Sequence, residues 1–415
     1  MLLTYNNGLI ADINRTLHFL VEKGEIDKTS IEVMTRYEFI KQLFIDAFGS
    51  DAERIMINHV SDIAERERLR LSALNDREAF LAKTVNGQCL PYGRSHCCLF
   101  DLEEQNCKPA IWRNVVKTSA AAPSAYDFLL VDEGQDWSDE QRDLLFKSVG
   151  SEKVVVADGI DQFVGADRCE WDTGKIRINR RHGLRASRRT KAATCQTVGD
   201  IARELSLSDW DLQPDPDAHG GRLAVFFEVD PRRAMERTFD FLDADLRDEP
   251  ELKSVDNLFC LPSPAMTNGA NYQNLFDTVV AARERDSWRG FSEDGRREFP
   301  RRSGQLRAVL YNSCRGMEGW TTACLALDRF YDFQLRNHRI DQEQIRAEMG
   351  LLASDLELAA VLRSRARQFA ANWLMIPLTR SIDHLVIHLA DEGSALANVL
   401  RQVSARAPGA IQWAR

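Results

Sequence analysis

The sequence has no apolar run approaching the roughly 20 residues that a membrane-crossing helix needs. Its opening, MLLTYNNGLI, carries no basic stretch and no cleavage pattern, so no secretory signal is expected there. Internal repeats and low-complexity tracts are absent, which excludes solenoids and linker-like chains. Cysteines number nine, an odd count at irregular spacing, which argues against a disulfide framework and for reduced thiols in a cytoplasmic protein. Cys89, Cys97, Cys98 and Cys107, with His96 among them, lack the tight two-residue gap of zinc sites, so no metal is expected there. Positive charge is in deficit: 54 Lys and Arg against 63 Asp and Glu leave a net charge of −9. That excludes a protein coating nucleic acid over its whole surface, though not a local basic track.

What is present suits a globular chain. The 415 residues are 44% hydrophobic and 28% charged, enough for about two or three domains. One basic track exists: KIRINRRHGLRASRRTK, residues 175–191, carries eight Lys and Arg and no acid. Arg296, Arg297, Arg301 and Arg302 mark a second, mixed-charge stretch that reads as a solvated loop.

The hydrophobic pattern divides the chain. LLTY and IEVMT (31–35) read as strands, with a helical pattern from Leu9 to Val21 between them. Residues 51–84 have helical spacing, and 85–120 are broken by Gly87, Pro91, Gly93 and Pro109. From residue 127, buried strands alternate with helices. DFLLV (127–131), KVVVA (153–157), LAVFFEV (223–229), NLFCLP (257–262), LRAVLYN (306–312), ACLALD (323–328) and HLVIHLA (384–390) are the strand candidates. Continuous apolar runs of this kind mark parallel strands covered on both faces. The expected fold is therefore α/β, with two parallel-sheet domains at 1–174 and 175–415 and a small helical insertion at about 40–120.

VDEGQDWS, residues 131–138, sets acids just after the first of these later strands. Open parallel sheets place ligands at that edge. An aspartate there can hold Mg²⁺, usually through water, and a neighbouring glutamate can polarise a hydrolytic water.

This string resembles motif II of the UvrD/Rep-type superfamily I helicases, and further matches follow in that family's order. VVVADGIDQF is similar to motif III, with Gln162, although Asp158 stands four residues before that glutamine where the family has three. LRASRRTK resembles motif IV, with Arg189; YNSCRGMEGW resembles motif V, with Arg315, Gly316 and Glu318; MIPLTRSIDHLVI resembles motif VI, with Arg380. LLTYNNGL resembles motif Ia. The matches run from residue 2 to about 390, and it is their order rather than any single match that is specific.

The resemblance implies two RecA-like domains of the P-loop NTPase fold, the first incomplete, and ATP with Mg²⁺ as cofactors. Asp132 would hold the metal and Glu133 would activate water. Gln162 would link nucleotide to nucleic acid, Arg189 and Arg380 would reach the phosphates from the second domain, and Gly316 and Glu318 would lie near the nucleotide. Arginine suits such roles because its planar fork meets phosphate oxygens bidentately. Single-stranded DNA, or RNA, would be the polymer partner, with Tyr5, Asn6, Phe163, Arg315 and Trp320 along its track and movement 3′→5′.

The 415 residues contain no G-x-x-x-x-G-K-[ST] phosphate loop; the nearest string, GEIDKTS (24–30), lacks the glycine before its lysine. Three expectations stay open. The loop is encoded just upstream, or a protein partner that completes the first domain supplies it, or the chain binds nucleic acid or serves as a scaffold without hydrolysis.

Overall fold

The computed structural model describes residues 1–4, 7–27, 31–36, 38–39, 126–137, 139–159, 169–172, 186–207, 210, 212–292, 295, 300, 302–337 and 355–414. The expected helical insertion at about 40–120, the Cys89–Cys107 cluster, Tyr5, Asn6, Gln162, Phe163 and most of the basic track lie outside them. The chain divides into two compact units, Met1–Asp158 with Cys169–Ile178, and Gly159–Arg168 with Asn179–Arg415. Both are α/β with parallel sheets.

In the first unit, β1 (Leu2–Thr4), β2 (Val33–Thr35), β3 (Leu129–Val131) and β4 (Val154–Val156) form an all-parallel sheet in the order β2-β1-β3-β4. Helix α1 (Asn7–Glu22) links β1 to β2, and α2 (Asp139–Val149) lies between β3 and β4. Leu3, Leu129 and Val131 are buried, while Leu130 and Val155 on the alternate positions are exposed. That alternation is the period-two signature of a strand covered on one face.

In the second unit, a two-stranded ladder joins β5 (Ala186–Ser187) to β6 (Gln213–Pro214). The main sheet holds β7 (Arg222–Phe227), β8 (Asn257–Leu261), β9 (Asp286–Arg289), β10 (Gln305–Leu310), β11 (Gly319–Cys324), β12 (Ser381–Leu389) and β13 (Gln412–Ala414). All seven run parallel, in the order β13-β7-β12-β11-β8-β10-β9.

Helices α3 (Ala192–Glu204), α6 (Leu327–Arg336), α7 (Asp355–Leu378) and α8 (Ala395–Arg406) bury Val198, Phe330, Leu374 and Leu400 with Leu258, Cys260, Ile387 and Val309 in one core. Helices α4 (Pro231–Asp248) and α5 (Tyr272–Ala282) bury Phe239, Leu242 and Phe276 with Phe226, Phe259, Ala323 and Val386 in a second core. Every residue of β8 is buried, as an apolar strand roofed on both faces must be. The helix starts are capped: Asp230 accepts from the amides of Arg232 and Arg233 ahead of Pro231, Asn271 from Asn274, and Ser394 from Ala397. Those amide bonds hold the exposed Asp230 carboxyl below its usual range.

Strand expectations shift at three places. DFLLV and KVVVA, expected to be covered on both faces, leave Leu130 and Val155 exposed. ACLALD is a strand only to Cys324; Ala326 turns in the left-handed region (φ 47°) and Leu327 opens α6, while the strand begins earlier, at Gly319. The short strands β9 and β13, at the two edges of the sheet, have no apolar run to betray them. Among the described residues no helix is long and apolar enough to cross a membrane.

Candidate functional site

The candidate residues fall into two separate groups, one in each unit. In the first unit, VDEGQDW turns at the carboxyl edge of the four-stranded sheet. The Asp132 amide donates to Leu3 O at 2.9 Å, carrying the ladder one residue past β3, and Gly134 N donates to Ala157 O at 2.9 Å beyond β4. The Thr4 hydroxyl donates to Asp132 Oδ2 at 3.3 Å, so the last residue of β1 orients the acid. Glu133 sits in the left-handed region (φ 54°, ψ 47°), and its Oε2 accepts from the buried Gln135 amide at 2.6 Å. A non-glycine residue held there stores of order 1–3 kcal/mol, compatible with a functional constraint.

The turn closes against Trp171, whose indole N–H donates to Gly134 O at 2.9 Å. A Cβ on Gly134 would meet Val156 Cγ1 at 2.3 Å and Trp171 Nε1 at 2.9 Å, so only glycine fits this approach. Trp137 and Phe146 pack edge-on against Trp171. Arg142 closes the outer side through Asp139, Asp143 and the Glu170 carbonyl. Nearby, burial pushes the Cys169 thiol up to about 12, which keeps it inert.

One carboxylate beside one hydroxyl suits magnesium, which retains several waters and takes few protein ligands. Among the described residues no group of three or more His, Cys, Asp or Glu is placed to hold a metal more fully.

In the second unit the group forms at the amino edge of the seven-stranded sheet. Glu318 and Trp320 flank the first residue of β11, and Arg380 directly precedes β12. Arg189 lies in the turn after β5, where Thr190 N donates to Ser187 Oγ at 3.0 Å. Far apart in sequence, these residues meet in space. Arg189 NH1 stands 3.5 Å from Glu318 Oε2, with both side chains partly exposed. The Gly319 amide donates to Arg380 O at 3.0 Å, Arg307 NH2 donates to Glu318 O at 2.6 Å, and Lys191 Nζ lies 5.8 Å from the centroid of the Trp320 ring. The loop before Glu318 is anchored by Tyr311, whose hydroxyl donates to Leu325 O at 2.7 Å, and it turns at Gly316 (φ 76°).

A local irregularity in β12 produces the convergence. Gly319 pairs with Ser381, but Thr321 pairs with His384, so β12 holds one more residue than β11 over this step. Bulges re-aim side chains and are common beside functional sites. Here Ile382 O accepts from Lys191 N at 2.7 Å, and Asp383 O accepts from the Thr194 hydroxyl at 2.7 Å. Those bonds dock the start of α3, and with it Arg189, onto the strand that follows Arg380.

The side chain of Arg380 is enclosed. It is 2% exposed, with Nε donating to Ile376 O at 2.9 Å, NH2 to the Thr379 hydroxyl at 2.9 Å and NH1 to Met317 O at 3.5 Å. Pro377, inside the last turn of α7, cannot continue the hydrogen-bond ladder, and the helix ends at Leu378. Arg315 is buried as well.

The sequence reading missed Thr4, Arg307 and the bulge, and held Lys191 only as the last cation of the basic track. Thr4 ends its strand at the edge where ligands gather, and Arg307 is a lone cation within an apolar strand; both were visible signals. The bulge has none, since it exists only in the pairing. Compared with known proteins, the chain matches no family model and no curated relative.

Proposed function

We propose that the chain is a UvrD/Rep-like helicase or translocase polypeptide, with RecA-like units, that binds single-stranded nucleic acid and nucleotide. The observation that carries this reading is the convergence of Arg189, Glu318 and Arg380, three residues of separate motif matches, at one edge of one sheet. Unrelated loops have no reason to bring those positions together. A second support is the placing of Asp132 and Glu133 at the carboxyl edge of a parallel sheet, where phosphate chemistry belongs.

In this reading Glu133, held by Gln135, orients a water, and Arg189 offers its partly exposed guanidinium to phosphate oxygens once released from Glu318. Asp132, beside the Thr4 hydroxyl, would hold magnesium, which when bound neutralises phosphate charge. Trp320 and Lys191 offer an aromatic face and a cation to a nucleic-acid strand.

One observation favours a second reading, a nucleic-acid-binding subunit without hydrolysis. Arg380 is enclosed by protein carbonyls and a hydroxyl. The deciding measurement is ATP hydrolysis with and without oligothymidylate, for the chain and for Glu133→Gln. Turnover that is stimulated by the oligonucleotide and lost in the variant supports the motor. Salt-sensitive oligonucleotide binding with neither turnover nor ATP binding supports the second reading. Absence of all three overturns both.

A further inference from the structure

Beneath the amino edge of the seven-stranded sheet runs a polar row inside an otherwise apolar core. Strand pairing sets Arg222 of β7 beside His384 of β12, His384 beside Thr321 of β11, and Thr321 beside Asn257 of β8. Asp245, in the last turn of α4, meets this row. Its Oδ2 accepts from the Thr321 hydroxyl at 2.8 Å and lies 2.6 Å from His384 Nδ1; its Oδ1 accepts from Arg222 NH2 at 2.8 Å. Asp245 and His384 are 3% and 4% exposed. His384 Nε2 and both amide atoms of Asn257 are buried with no hydrogen-bond partner among the described residues.

Stability alone does not account for this arrangement. Buried charged groups are replaced by well-packed apolar side chains at little loss or with gain, and unpartnered buried atoms cost about 1–3 kcal/mol each. What the carboxylate does supply is alignment. One side chain fastens β11 at Thr321, one residue beyond Trp320 and three beyond Glu318, and β12 at His384, four residues beyond Arg380. The β12 bulge lies between the fastening and the group, so Asp245 fixes the strands directly behind the irregular step.

We propose that Asp245 is a positioning residue, acting through Thr321 and His384 to hold the amino ends of β11 and β12 in the offset that brings Glu318, Trp320 and Arg380 together. The role of that group as a ligand site rests on the proposed function; the positioning does not.

Hydrogen–deuterium exchange on the full chain, comparing wild type with Asp245→Asn, tests it without needing a ligand. The control is Asp240→Asn on the same helix, whose exposed carboxylate pairs with Arg283. Hydrogen bonds to a charged group warrant about a tenfold or larger rise in exchange for peptides covering 315–322 and 378–385, with α8 and β13 unchanged, and no such rise in the control. A uniform rise across the unit, or none in those two peptides, overturns the proposal. Should Asp245→Asn fail to fold, Thr321→Val removes one of the bonds and is read the same way. Fluorescein-labelled oligothymidylate is titrated into the same samples. A local rise in a protein whose wild type binds no oligonucleotide upholds the positioning and counts against the proposed function alone.

Discussion

The Thr4 hydroxyl donates to Asp132 Oδ2 at the carboxyl edge of the four-stranded sheet, linking the ends of two strands that lie 128 residues apart in sequence. A part-buried bond to a carboxylate of this kind orients the acid more than it stabilises the fold. Thr4→Val keeps the β-branched shape and should shift the unfolding free energy by about 1.5 kcal/mol or less. The same variant should lower nucleotide hydrolysis by about a hundredfold or more if Asp132 acts as proposed, because a misaligned group costs more in rate than in stability. Urea denaturation and steady-state turnover on one preparation separate the two effects; equal losses in both would remove the orienting role.

Gly134→Ala tests the tightness of the turn. The added methyl would overlap Val156 and press on the Trp171 indole, so a destabilisation of about 1–3 kcal/mol is expected from overpacking. A chemical denaturation midpoint unchanged from wild type would mean that the turn is looser than its contacts indicate.

Arg189 and Glu318 are each partly exposed, so their ion pair adds little to stability, about 0–1 kcal/mol. Their effects on ligand should have opposite signs. Glu318→Gln releases the guanidinium and should tighten oligonucleotide or nucleotide binding. Arg189→Ala should weaken it, and for the oligonucleotide should lower the slope of log affinity against log salt by about one. Anisotropy titrations at several salt concentrations give both quantities, and a change of the same sign in the two variants would rule out the exchange.

His388 predicts a pH dependence of stability. Its Nδ1 accepts from the Ala326 amide at 2.9 Å, so the ring proton must sit on Nε2, which donates to Glu228 O at 2.8 Å. Both nitrogens are satisfied in the neutral form, and a second proton would face an N–H. Burial lowers the histidine to about 4 from its ordinary 6.5. The unfolded chain therefore binds the proton more readily. This contribution is complete above pH 6.5 and lost as pH falls towards 4, with a span of up to about 3 kcal/mol. His388→Gln should flatten that part of the stability curve, and an unaltered curve would mean the loss arises elsewhere.

The central strands were legible because apolar runs such as LAVFFEV and NLFCLP have no alternative to burial on both faces. The polar edge strand Asp286–Arg289 was not, since it carries little hydrophobic pattern, and the apolar run ACLALD gave no sign that its strand opens at Gly319. Of the candidate residues, Asp132 and Glu133 announced themselves by following a strand. The closing of Met317 over Arg380 spans 63 residues and the meeting of Asp245 with His384 spans 139, both set by register and helix packing that no local pattern encodes.

The extra residue in β12 also resets the parity of that strand. Ser381 and His384 are an odd number of positions apart and would point to opposite faces of a regular strand. Through the bulge they are partnered by Gly319 and Thr321, two positions apart and thus of like parity. Strand length therefore sets which side chains share a face here as much as residue identity does. Deleting Ile382 alone would leave every named side chain in the protein, yet would turn either the arginine end or the histidine end of β12 out of phase with its neighbours.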